Sequence, residues 1–231
     1  MRPFSDISIA AVTLVALVCG AWLLRGGAET HAPPQPSAAQ ARRGDAHADR
    51  PTAAPLAPAL PDRVRIPSLG VDAPLTGLGL TPRGSLDVPS ATGKNLAGWY
   101  ESGITPGEKG TAIVAGHVDN AEGPAVFYRL GALRKGSTIE VARRDGTVAL
   151  FSVDAVEVYD ARDFPDEKVY GAALRPELRV ITCGGGYSAA TGYQGNVVVF
   201  AHLTGSRLNG DAITGTARSS GLPPSDERSG Q

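Results

Sequence analysis

Cysteine is nearly absent from this chain of 231 residues, which has two, alongside one methionine, two tryptophans and four histidines. That supply supports neither a disulfide-stapled scaffold nor a four-ligand zinc site of the finger type. An excess of one charge is missing too: 22 Lys and Arg stand against 23 Asp and Glu, for a net charge of −1. Without a basic stripe there is no electrostatic case for nucleic acid. Turn formers, in contrast, are plentiful. The 29 glycines and 18 prolines make up about a fifth of the chain, rich for a folded protein yet short of wholly disordered composition.

Three zones differ in composition. Residues 7–24 read ISIAAVTLVALVCGAWLL, without a charge. As a helix rising about 1.5 Å per residue this run spans roughly 27 Å, close to the ~30 Å of a bilayer core. Arg2 precedes it and Arg25 follows it. Residues 1–25 therefore read as a short cytoplasmic stub and a single-pass transmembrane signal-anchor, with everything after them on the extracellular face. A cleaved signal peptide is the main competitor, because Gly26-Gly27-Ala28 supplies small residues past the apolar run. A lipoprotein fits less well, since Val18 is too bulky for the position before Cys19. All three readings export the rest.

Residues 26–61 are dominated by Ala, Pro, Gly, Arg and Asp and read as a disordered, extended tether holding the solvated His31 and His47. Residues 205–231 read as a disordered tail. Residues 62–204 remain, enough for one domain with a core. Their apolar runs are short and β-branched, at 64–66, 71–75, 111–115, 138–142, 148–158, 178–182 and 197–201. Pro67-Ser68, Pro82-Arg83-Gly84, Pro106-Gly107, Asp145-Gly146 and Gly192 punctuate them. The pattern predicts a mostly-β domain, an antiparallel barrel or sandwich. The stretch 147–158 predicts a long strand with one wet face, and short helical turns are expected near 124–130 and 166–173.

With Cys19 inside the apolar run, Cys183 is the one cysteine of the exported domain. A buried structural thiol is the plain reading. Against it, the predicted strand 178–182 runs straight into Cys183 and then Gly184-Gly185-Gly186. A cysteine at such a corner, with accessible backbone N–H groups on Gly184 and Gly185, suits a nucleophile whose oxyanion is held by main-chain donors. A nucleophilic cysteine needs a partner, normally histidine. His117 ends the strand-like run 111–116, and Gly116 before it frees the backbone to turn. His202 follows the run 197–201. Spacing alone does not choose between them, and the glycine favours His117.

Several blocks in order then resemble one family. They are Arg65-Ile66-Pro67 with Gly70-Val71, Ala115-Gly116-His117-Val118-Asp119, the run from Gly123 to Leu130, Ile181-Thr182-Cys183-Gly184-Gly185, and the run from Asn196 to Ala201. Over about residues 63–204 the chain resembles the sortases of Gram-positive bacteria, most of all the actinobacterial class F branch. The resemblance implies an eight-stranded β-barrel with short helices and a membrane-anchored cysteine transpeptidase, with Cys183 as nucleophile and His117 as general acid and base. It implies cleavage of an LPXTG-like sorting signal in exported proteins and transfer to an amine of a peptidoglycan precursor, by a monomer that needs no metal or organic cofactor. Thr182 corresponds to the residue that helps shape the substrate groove. Residues 161–176 resemble the loop that reads the sorting motif, with Phe164, Val169 and Tyr170 as apolar contacts.

One departure stands out. Sortases typically carry an arginine on the strand after the nucleophile, and residues 184–203 contain none. Gln194 and Asn196 fall nearest that place, as neutral donors roughly half as strong as a charged one. Arg179 lies about 13 Å along the strand from Cys183, which leaves an arginine from 143–144 as a further source. Asp119 is expected to cap a turn. The rival readings are an L,D-transpeptidase or cysteine peptidase, and a catalytically weak cell-surface binding module on a sortase scaffold.

Overall fold

The β-branched runs become strands because Val, Ile and Thr lose little by adopting extended backbone and pack well on a pleated face. The computed structural model describes residues 32–41, 52–188, 190 and 192–210. The apolar run 7–24 and most of the C-terminal tail lie outside these residues. No helix among the described residues is long and apolar enough to cross a membrane.

Among the described residues there are ten strands: β1 (Pro61–Ile66), β2 (Val71–Leu78), β3 (Ala97–Tyr100), β4 (Gly110–Gly116), β5 (Asp119–Asn120), β6 (Gly123–Pro124), β7 (Thr138–Arg143), β8 (Thr147–Asp160), β9 (Pro176–Ser188) and β10 (Gly192–Leu208). Eight of them close into a barrel in the order β1-β2-β3-β4-β9-β10-β8-β7, and β5 and β6 form a separate small hairpin. Closure removes the exposed edges that would otherwise template aggregation. The eight-stranded barrel agrees with the expectation, but the sheet is not wholly antiparallel. β2 pairs with β3 in parallel, and so does β4 with β9. Short β3, with only Gly98-Trp99 at its centre, escapes a reading based on β-branched runs.

Two cores share the β9–β10 wall. Phe127, Phe151, Leu130, Leu178 and Leu203 are fully buried in the larger one. The smaller holds Ile113, Val169, Ile181, Val198 and Phe200, with Phe164 and Tyr159 packed against it. The second core explains why β8 shows no continuous wet face: Val153 to Glu157 are all buried, because the loop after β8 folds back over its outer side. That loop carries helix α1 (Asp166–Tyr170), within the span where a helical turn is expected. At 124–130 there is instead a turn leading into a single 3-10 turn, Leu130–Ala132.

The stretch expected to be an extended tether contributes contacts where it is described. The Ala53 N–H donates to the Leu203 carbonyl at 3.0 Å, and Leu56 packs against the larger core. Further upstream, the Lys135 N–H donates to Gln40 Oε1 at 2.9 Å, and Lys135 Nζ to the Ala41 carbonyl at 2.7 Å.

Candidate active site

The parallel β4–β9 ladder sets the site. Ala115 pairs with Ile181 in its last rung, and the Thr182 hydroxyl donates to the Gly116 carbonyl at 2.8 Å. One residue further along each strand stand His117 and Cys183. Adjacent strands lie about 4.8 Å apart, so a parallel register delivers both residues to the same end of the barrel. On the other side of β9, Asn196 of β10 is paired directly with Cys183. Cys183 and Asn196 thus sit on neighbouring strands, with His117 just past the end of β4 on the other side of β9.

Cys183 is not at a corner, as the glycine run implied. β9 continues through Gly184, Gly185 and Gly186 to Ser188, and the thiol is exposed on the face of a continuous strand. The glycines answer a different need. Gly184 is buried with its α-carbon against Val197, where a methyl group would meet Cγ2 at 2.5 Å, and Gly185 has φ +77°. A side chain is strained in that left-handed region. Gly184 sits in the ladder opposite Gly195, whereas the Gly185 N–H donates to the Gln35 Oε1 at 3.3 Å.

Gly116 is likewise present for packing rather than for a turn. A Cβ there would stand 2.7 Å from the Phe127 ring and 2.8 Å from Val126. Beyond it the chain is pinned, because the Phe127 N–H donates to the His117 carbonyl at 3.0 Å. The imidazole is fixed through Nε2, which lies 2.7 Å from the Pro89 carbonyl oxygen. A carbonyl accepts only, so Nε2 carries the proton and Nδ1 is left for other work.

The two functional groups open into one cavity of about 690 Å³. Thr182 and Asn196 line its floor, and Ile113, Ile181, Phe164 and Tyr170 form an apolar wall. The opposite wall is the segment between β2 and β3, including Arg83, Leu86 and Val88. In the sequence this segment shows only as the turn signal Pro82-Arg83-Gly84. Arg83 is the arginine that the described residues bring to the cavity. Arg143 lies elsewhere, buried, donating to the Ala57 carbonyl and facing Asp145 at 3.6 Å. Arg179 pairs with Glu177 at 2.8 Å and stacks on Phe200, 4.6 Å from its centroid.

Other candidates separate from the site. Val169 is fully buried in the smaller core and does not line the cavity. Gln194 is exposed beside Gly186 and does not line it either. His202 is not a solvated strand-end residue: it is buried within β10, with Nδ1 2.8 Å from the Asp154 carboxylate. Asp119 does not cap a turn. It begins β5 and accepts a hydrogen bond from the Tyr193 hydroxyl, while the Asn120 side chain caps the turn through the Glu122 N–H.

Electrostatically the thiol is held back. Although the residue is exposed to the cleft, partial desolvation there pushes the Cys183 thiol above its ordinary value, the Asp119 charge pushes it further, and a backbone hydrogen bond offsets part of this. Tyr193 is also pushed well up, by desolvation first and then by its bond to Asp119.

A closed mixed barrel that brings one thiol and one imidazole to a single cleft defines a β-barrel protein with a cysteine–histidine centre. Within that class the chain belongs to the sortase family, whose Sortase domain matches residues 64–204. Solved structures similar to it include sortase A of Listeria monocytogenes, 18% identical, covering 65% of this chain and 90% of that one, with a TM-score of 0.49. Sortase A of Corynebacterium diphtheriae is 19% identical over 69% of this chain and 63% of that one, TM-score 0.49. Sortase C-1 of Actinomyces oris is 19% identical over 65% and 76%, TM-score 0.49. No curated protein sequence matches the chain. Members of the family are cysteine transpeptidases of cell-wall sorting.

Proposed function

We propose that this chain is a cell-surface, membrane-anchored transpeptidase of the class F type, which cleaves an LPXTG-like sorting signal and joins the acyl part to an amine of a cell-wall precursor. The observation that carries this reading is the shared cleft of His117 and Cys183 at the end of two parallel strands. Cys183 is the nucleophile. Its proton passes to His117 Nδ1, and the thiolate bonds to the scissile carbonyl carbon as the electron pair moves onto oxygen, where the Asn196 amide can donate and the Gly184 and Gly185 N–H groups can join it only on leaving the ladder and Gln35. The intermediate collapses with loss of the C–N bond, and the leaving amine takes the proton of the His117 imidazolium. The thioester is then attacked by an incoming uncharged amine, which yields a proton to neutral His117 as the C–S bond breaks.

The cavity supports the substrate class. Its apolar wall and polar floor suit an extended peptide with one or two apolar side chains. Phe164 and Tyr170 lie on the loop expected to read the motif, and their rings are 5.7 Å apart. The test mixes the full-length chain with LPXTG-like peptides and a strong amine and follows intact mass. A thioester adduct absent from Cys183→Ala, released as an amide, supports transpeptidation.

The neutral Asn196 opposite Cys183 and the raised thiol favour a second reading, a weakly active or inactive binding module on the same barrel. Free Cys183 across the whole peptide panel would favour it.

A further inference from the structure

Between β2 and β3 the chain runs from residue 79 to 96 without a strand. Connections of that length in a compact domain usually carry function. Its first half folds on itself: Leu80 bridges to Leu86, and the Asp87 N–H donates to the Gly79 carbonyl at 3.0 Å. Leu80 and residues 83–88 of this half line the cleft. The next residue, Pro89, is buried, and its carbonyl accepts from His117 Nε2 at 2.7 Å. One continuous piece of chain therefore forms a wall of the cleft and holds the imidazole.

Pro89 has no N–H with which to anchor itself. Two residues on, the Ala91 carbonyl accepts from Asn120 Nδ2 at 2.8 Å. Asn120 Oδ1 accepts the Glu122 N–H at 2.9 Å, so both ends of the amide are engaged and its orientation is set. Asn120 stands on firm ground. It pairs with Gly123 across the β5–β6 hairpin, and the Phe127 and Ala125 N–H groups donate to the His117 and Val118 carbonyls, each at 3.0 Å. The Pro89 and Ala91 carbonyls thus dock on the two ends of one short stretch, 117–120, and the Ala91 bond registers the Pro89 carbonyl against the ring.

We propose that Asn120 is a positioning residue for acyl transfer: by holding the Ala91 carbonyl it seats Pro89 on His117 Nε2, which keeps the proton on that nitrogen and leaves Nδ1 bare for the proton of Cys183. Its role in turnover rests on the transpeptidase reading, whereas its control of the imidazole does not. Without this clamp the ring carries its proton on Nδ1 for part of the time, and there it cannot accept one from the thiol.

The chain has four histidines, so nitrogen-15 labelling of their rings in the full-length chain gives a spectrum readable residue by residue, with His117→Gln marking the His117 signals. At about pH 8, where ordinary imidazoles are neutral, native His117 is expected to show one form, protonated on Nε2, with that proton protected from solvent exchange. Asn120→Ser keeps an oxygen for the Glu122 N–H and no longer reaches Ala91. It is expected to speed exchange of the Nε2 proton at least about tenfold and to lower kcat for peptide cleavage about tenfold, with KM changed less than about twofold. The His202 signals, fixed by Asp154, should stay in place and report an intact barrel. Should they move as well, Pro89→Gly decides instead, because it keeps the carbonyl, frees its backbone and leaves the hairpin untouched. It is expected to speed the same exchange. Native His117 protonated on Nδ1, or averaged between its nitrogens, overturns the proposal. So does a His117 spectrum that the deciding variant leaves unchanged, whatever happens to the rate. If the spectra respond as expected and the native chain forms no thioester with any peptide, the transpeptidase reading falls and the control of His117 by Asn120 stands.

Discussion

His117 and Cys183 lie two residues beyond the same rung, Ala115–Ile181, of the parallel β4–β9 ladder. The pairing therefore depends on backbone register, with Thr182 tied to the Gly116 carbonyl and Gly116 wedged over Phe127. His117→Ala is expected to lower kcat for peptide cleavage by about 10²–10⁴, the usual worth of a general acid and base, with KM for the peptide little changed. Steady-state kinetics checks this, and circular dichroism should show an unaltered fold.

Because partial desolvation and the Asp119 charge both disfavour the thiolate, Cys183 is expected to titrate above the ordinary thiol value near 9. The rate of iodoacetamide alkylation should keep rising with pH through that value. Asp119→Asn removes a negative charge and so should move the midpoint down. A midpoint at or below the ordinary value in the native chain would contradict this electrostatic picture.

Asn196 and Arg83 sit on different parts of the cleft and predict different kinetic signatures. Asn196 is paired with Cys183, close to where oxyanion charge develops. Asn196→Ala is expected to cost kcat about tenfold, the worth of one neutral hydrogen bond at the reacting centre. Arg83 stands on the exposed opposite wall. Arg83→Ala should raise KM for the peptide a few-fold and leave kcat nearly unchanged.

The loop carrying Phe164 and Tyr170 is held down by Lys168. Its Nζ lies 2.7 Å from Glu157 Oε2 and packs 5.2 Å from the Tyr159 centroid and 5.6 Å from that of Phe200. The Glu157 side chain is 10% exposed and that of Lys168 40%, so solvent screens the pair from one side only. Lys168→Met should cost about 1–2 kcal/mol, less than the 3–5 of a fully buried pair. The double variant with Glu157→Gln should lose less than the sum of the two single losses, as urea unfolding would show. Full additivity would mean that the pair is not coupled.

Much of this protein is legible in the chain itself. Short β-branched runs between Gly and Pro turns determine a mostly-β domain, barrel or sandwich, because extended backbone and tight turns are local preferences that survive in any context, and closure into a mixed barrel is settled by the pairing of strands. The lone Cys183 and the residues around His117 mark the chemistry, since few residue types can perform it. What the tertiary structure decided is which residues meet. Only the parallel rung chooses His117 over His202, whose imidazole is committed to Asp154 in a buried pair. Only packing shows that Gly116 makes room for Phe127, that Val169 belongs to the smaller core, and that Arg143 turns to the N-terminal segment rather than to the cleft. The cleft wall at Arg83 and the Asp119–Tyr193 bond join segments far apart in sequence. No local preference encodes such contacts, because their energy exists only once the barrel has closed.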